Sequence, residues 1–282
     1  MRLCSYGKAE EVAILKDGGL LPIKELNKQV GRHFPTTMLE FIECGVVEYV
    51  KEVLSENEWL KPTLKVEDVQ MAPPYRFPPK VWGIGLNYRR HIEDLNEKPP
   101  EEPASFMKPS TTIIGQDDEI ILPEQSKYVT AEAELAVIIG RECKNITEAE
   151  APHYIFGYTT VLDMTAVDIL QRNPRFLTRA KSFDTFFSFG PWVVTRDEIK
   201  DESLGEVRIT TRNGDEEVTN VISDMIFSPF YLVSFHSKVM TLKPGDIIST
   251  GTPGALTIKA GDRVEAIVEG IGSLSNPVVA PK

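Results

Sequence analysis

Apolar residues along this chain fall mostly in short runs, cut by Gly, Pro, Asn and Asp, and long stretches of helical spacing are few. The beginning is mixed. Met1–Tyr6 is a polar-interrupted strand, and Glu11–Leu15 is a second. Asp17-Gly18-Gly19 is a turn signal, and Leu20–Ile23 resumes a strand, so the three segments predict a hairpin. Pro35-Thr36-Thr37 then opens a helix in which Met38, Phe41, Ile42 and Val46 recur at helical spacing. A second helix is predicted over Glu48–Leu60, with Val50, Val53 and Leu54 on one face. The stretch 73–79 is rich in proline, which removes donors and stiffens a chain, and it marks a boundary between a small α+β unit, 1–72, and the rest.

From Lys80 the pattern is β-rich. Strands are expected at Val81–Gly85, Glu119–Leu122, Glu134–Ile139, Phe156–Leu162, Trp192–Thr195, Val207–Arg212, Asp246–Ser249 and Asp262–Val268. Asn213-Gly214-Asp215 supplies a hairpin turn. Helical patterns are fewer: Tyr88–Leu95, Thr147–Ala151, Ala166–Arg172 and Pro229–Val239. This is not the strand–helix alternation of a parallel sheet. There is no internal repeat and no low-complexity tract.

Composition narrows the class. With 282 residues, 41% hydrophobic and 26% charged, the chain is an ordinary globular protein of one large or two smaller domains. A net charge of −11 argues against a general nucleic-acid surface. Cys4, Cys44 and Cys143 are far apart, which excludes a thiolate zinc pair and fits a reducing compartment. The N-terminus has no signal-peptide core, and no apolar run is long enough for a bilayer, so a cytoplasmic protein without membrane contact is expected. Phosphate-binding motifs are missing: Gly83-Ile84-Gly85 starts like a dinucleotide fingerprint, but its third glycine falls at Tyr88.

Candidate chemistry centres on acids. Glu132 and Glu134 stand two apart at the start of a buried strand pattern, so they project from one face. Asp163 ends another apolar run. Three hard oxygen ligands on strand ends suit Mg²⁺ or Mn²⁺. On spacing alone they suit other roles equally well: Glu132 exposed, Glu134 paired with an arginine, Asp163 capping a helix at Met164–Leu170. His91 shares a helix face with Asp94, while Glu93 does not; the histidine is either a general base or a surface residue. Lys181 lies among apolar residues beside Asp184, as a substrate cation or as half of an ion pair. Gly251-Thr252-Pro253-Gly254 is either a ligand loop or a tight turn.

Taken in order, Gly85-Leu86-Asn87-Tyr88…His91, Phe106-Met107-Lys108-Pro109, Glu132-Ala133-Glu134-Leu135, Gly157-Tyr158-Thr159…Asp163-Met164-Thr165, Lys181-Ser182-Phe183-Asp184-Thr185-Phe186…Gly190-Pro191 and Gly251-Thr252-Pro253-Gly254 closely resemble the fumarylacetoacetate hydrolase family over roughly residues 80–280. The resemblance implies an α+β, β-rich fold: a mixed β-sandwich or roll in 80–282, preceded by the small α+β domain. It also implies a homodimer, with Mg²⁺ or Mn²⁺ on Glu132, Glu134 and Asp163. His91 would belong to a lid, and Lys181, Gly251, Thr252 and Gln171 would contact a small 2-oxo acid. There are departures. The acid usually found three after the lid histidine as Glu is Asp94, and Glu93 is one place early. Val167 and Leu170 stand where Arg and Gln are common, with Gln171 one residue late. Past Gly254 the loop reads Ala255-Leu256-Thr257, not the usual continuation. The expected reaction is hydrolytic C–C cleavage of an acylpyruvate-like acid. His91, helped by Asp94 or Glu93, would activate water, and the leaving enolate would be held by the metal and Lys181. Oxaloacetate decarboxylation and isomerisation of a 2-hydroxy-dienedioate use the same acids. A non-catalytic module of the same fold is a remote further reading.

Overall fold

The computed structural model describes residues 1–281. Its centre is an antiparallel pair, Val129–Ile139 and Ile155–Ala166, buried along nearly its whole length. Side chains alternate across this pair. Ala133, Leu135 and Val137 face one core, shared with Ile209, Val264 and Leu274 of a second sheet. Ala136, Ile138 and Val161 face another, shared with Leu26, Phe41 and Ile42 from the N-terminal helices. Glu132, Glu134 and Asp163 have the parity of that second face.

Among the described residues the larger sheet has thirteen strands and the smaller five. Arg2–Tyr6 pairs with Phe187–Thr195, which pairs with Ile155–Ala166. On the other side, Val129–Ile139 pairs with Ile247–Ser249, then Val81–Gly85 follows in parallel and Ala104–Met107 closes the edge. The smaller sheet runs Glu216–Val221, Arg208–Asn213, Arg263–Val268, Gly272–Val279 and Ile120–Ile121. The fold is therefore mixed and β-rich, as expected. The N-terminal segment continues the main sheet. The proline-rich stretch is packed down too: Ser5 Oγ donates to the Pro74 carbonyl, and the Tyr75 hydroxyl donates to the Gly245 carbonyl.

Several elements differ from expectation. The two central strands are longer than their apolar runs, because pairing with each other and with Ala255–Ile258 carries the polar positions Thr130 and Thr165 into the ladder. Glu132 and Asp163 are consequently inside strands, not at their ends. Asp163 caps no helix, since the next one, Val167–Arg172, begins four residues on. A helix at Ile23–Val30 starts where a strand was expected to finish. The helix at Met38–Glu43 stops before Val46, with Gly45 at φ 61°. The pattern at Thr147–Ala151 is a turn followed by a 3₁₀ segment, Ala151–Tyr154. No helix among the described residues is long and apolar enough to cross a membrane.

Candidate metal and substrate site

The register of the central pair builds the site. Glu132 lies directly opposite Asp163, and Glu134 is one pleat further along the same face. One carboxylate oxygen from each of Glu132, Glu134 and Asp163 lies within 4.8 Å of the others. Glu134 and Asp163 are buried, at 1% and 0% exposure. Glu134 accepts hydrogen bonds from Ser249 Oγ at 2.5 Å and from the Gly251 amide at 2.9 Å, with no arginine involved. Glu132 accepts from Thr165 Oγ1 at 2.5 Å and Lys181 Nζ at 2.7 Å. Asp163 accepts from Lys108 Nζ at 2.5 Å and Lys181 Nζ at 2.9 Å.

The electrostatics follow from this crowding. Burial, reinforced by the neighbouring Asp163, pushes Glu134 up to about 8. Burial alone would lower Lys181, but Asp163, Glu132 and Glu134 overcome it and hold the ammonium above its usual range. At Lys108 burial wins, and the pKa lies below the ordinary lysine value despite Asp163. With all three acids ionised, three carboxylates against two ammoniums would leave a formal charge of −1 in a buried volume, and the raised pKa of Glu134 is the sign that a further positive charge is needed to ionise it. The residues therefore fit a hard divalent cation: the donors are all carboxylate oxygens, they converge, and positive charge is still short. Glu132, Glu134 and Asp163 would hold it.

Beside the cluster opens a cavity of about 750 Å³. His91, Glu132, Thr165, Gln171, Lys181 and Thr252 all reach its wall. His91 comes from the short helix Arg89–Asp94, anchored by the buried Asn87. Burial lowers its pKa from 6.5, and the charges of Glu132 and Asp94 only partly oppose this. The imidazole is thus neutral at pH 7. Asp94 influences His91 through its charge but does not line the cavity. Glu93 faces a separate hollow with Arg89 and Ile92. Gly251 acts through its amide on Glu134. It needs glycine, because its φ is 94° and a Cβ would come within 2.9 Å of Asn87 Cβ. Thr252 Oγ1 closes the turn by donating to the Gly254 carbonyl at 2.9 Å, and the residue still borders the cavity. Lys181 pairs with the acidic cluster and not with Asp184.

Three contributors escaped the reading of the sequence. Lys108 follows the strand Ala104–Met107 and also donates to the Lys181 carbonyl. Ser249 and Thr165 reach the carboxylates from neighbouring strands. Lys108 stands in a recognised segment, and a lysine between an apolar strand and a proline is a usable signal. Ser249 and Thr165 look like any strand hydroxyl.

Residues 80–279 match the model of the fumarylacetoacetate hydrolase C-terminal domain. A mitochondrial oxaloacetate tautomerase of Xenopus laevis is 36% identical over 276 residues, covering 94% of this chain and 84% of its own. An uncharacterised protein of Archaeoglobus fulgidus is 49% identical over 213 residues, 75% of this chain and 82% of its own. Among solved structures, a maleylpyruvate hydrolase of a Sphingobium species, in complex with manganese(II) and pyruvate, superposes with a TM-score of 0.83 at 25% identity over all of both chains. The ordered motifs, the converging acids and these matches agree: the chain belongs to the fumarylacetoacetate hydrolase family.

Proposed function

We propose that the chain is a divalent-cation-dependent enzyme of 2-oxo acids, using Mg²⁺ or Mn²⁺, that moves a proton at carbon 3 and so interconverts keto and enol forms. The observation carrying this reading is the placement of one neutral imidazole, His91, in the cavity that Glu132 and Lys181 also line. Among the described residues no carboxylate is hydrogen-bonded to that imidazole, so a simple proton shuttle suits it better than a dyad that activates water. A bound cation supplies Lewis-acid polarisation of the 2-oxo group. Lys181 has three N–H donors and spends two on Glu132 and Asp163, which leaves one for a substrate oxygen. His91 takes a proton from carbon 3 and returns it to the enol oxygen or to carbon, with no net consumption. The identity to an oxaloacetate tautomerase over nearly the whole chain supports the same class of reaction.

The test is exchange of the carbon-3 proton of 2-oxo acids in deuterium oxide, followed by NMR with Mg²⁺ present. His91→Ala is expected to slow it about 100-fold or more, the usual share of a general base. Because burial depresses the His91 pKa, the rate should hold down to pH 6.5 and fall only below it. Exchange that is indifferent to His91→Ala would sink the proposal.

Hydrolytic C–C cleavage is the second reading. It is supported by the likeness to the maleylpyruvate hydrolase and by the charge of Asp94 acting on His91. Product analysis separates the reactions: pyruvate plus a second acid marks hydrolysis, carbon dioxide marks decarboxylation, and an unchanged formula marks tautomerisation.

A further inference from the structure

The cavity beside the acidic cluster is much larger than the cluster's own chemistry requires. A pyruvate-sized core would occupy only the part next to Glu132 and Lys181, and the remainder of the roughly 750 Å³ must receive whatever hangs on carbon 3. Most of the cavity's lining is apolar, with Leu86, Leu95, Phe106, Val167, Leu170 and Leu177, and its uncharged polar members are Thr165, Gln171 and Thr252. Among the described residues bordering the cavity there is no arginine, and the sole lysine, Lys181, is bound to Glu132 and Asp163. The remaining nitrogen base, His91, is held neutral. At the rim stands Glu97, exposed and acidic.

A second carboxylate on the substrate would leave water to enter this space with no cation to receive it and with Glu97 nearby. An unpaired buried carboxylate is costly, whereas an uncharged chain gains from each methylene it buries. Gln171 is the one uncharged amide on the wall, and it can meet a carbonyl but cannot neutralise a charge.

We infer that this cavity selects 2-oxo acids whose carbon-3 substituent is uncharged and largely apolar, an acyl, alkyl or aryl group, and discriminates against dicarboxylates. The inference rests on the proposed 2-oxo acid site and adds its substrate class. It separates this chain from the oxaloacetate tautomerases that it resembles in sequence. Val167, the partly exposed first residue of its helix, is where a cation would most simply reverse the choice, because its side chain already borders the cavity.

The experiment is calorimetric titration of the Mg²⁺-loaded full chain with oxalate, oxaloacetate and acetylpyruvate. The last two have nearly the same size and differ in a terminal carboxylate against an acetyl group. A series from 2-oxobutanoate to 2-oxooctanoate completes the set. Oxalate, which has only the chelating core, should bind. Acetylpyruvate should bind at least tenfold more tightly than oxaloacetate, and affinity should climb at least tenfold along the alkyl series, since each buried methylene is worth about fourfold. Val167→Arg should strengthen oxaloacetate binding tenfold and close the gap, with unchanged thermal melting as the folding control. If that variant does not fold, the wild-type comparison decides alone. Oxaloacetate binding as tightly as acetylpyruvate, or a flat alkyl series, overturns the inference. Failure of oxalate itself to bind would instead refute the 2-oxo acid site beneath it.

Discussion

A carboxylate with no access to water must be balanced by its immediate neighbours, and Asp163 is balanced by two lysines that are themselves buried. Lys108 does more than neutralise. It ties Asp163 to the Lys181 carbonyl, so one side chain orients a cluster acid and the segment carrying the second lysine. Lys108→Met keeps the volume but removes both bonds. Breaking a buried pair from one side typically costs about 3–5 kcal/mol, because the abandoned charge stays buried. Urea denaturation in the presence of a chelator should show a loss of that size. Added Mg²⁺ should recover part of it by supplying the missing charge. A variant as stable as the parent would show that Asp163 needs no partner there.

At the scale of elements, the six-residue helix carrying His91 is too short to hold itself and depends on its anchor. Asn87, just before it, donates from Nδ2 to the carbonyls of Thr250 at 2.7 Å and Phe227 at 3.1 Å, and accepts from the Phe227 amide at 2.9 Å. These bonds join the start of this helix to the loop that positions Gly251 and Thr252. Asn87→Ala should destabilise the chain by about 2 kcal/mol or more, since buried backbone groups lose their partners. It should also speed hydrogen exchange over residues 88–95 and raise KM more than it lowers kcat. Unaltered exchange there would mean that the helix is held by something else. The strands were legible in their centres and not at their ends. Thr130 and Thr165 read as breaks in an apolar run, yet cross-strand partners draw them into the ladder and move Glu132 and Asp163 to mid-strand. The helix at Ile23–Val30 was missed because Leu20–Ile23 reads continuously as strand, although Pro22 marks the switch.

Across the whole molecule, the sheet runs without interruption from the N-terminal hairpin to the strand beside the cavity. Leu3, Phe41 and Ile42 share one core with Ala136, Ile138 and Val161, on the face from which the acids project. Unfolding should therefore be a single cooperative transition, coincident by tryptophan fluorescence and circular dichroism. Two separated transitions would instead support the division at the proline-rich stretch that the sequence predicts. Sedimentation of the same material tests the homodimer expected from the family resemblance.

The order of motifs along the chain was enough to name the family and to single out Glu132, Glu134, Asp163, His91, Lys181 and Thr252. Those are local patterns of residue type and spacing, which a linear reading preserves. It left open whether the acids met each other, an arginine or a helix end. It was also silent on Lys108 and Ser249 as partners, and it left Glu93 and Asp94 undivided. These depend on strand register and on which face of a six-residue helix packs inward, and both are set by contacts between segments tens of residues apart. The character of the cavity is of the same kind. Leu86, Phe106, Val167 and Leu177 come from different stretches of chain, and only their convergence makes one largely apolar wall.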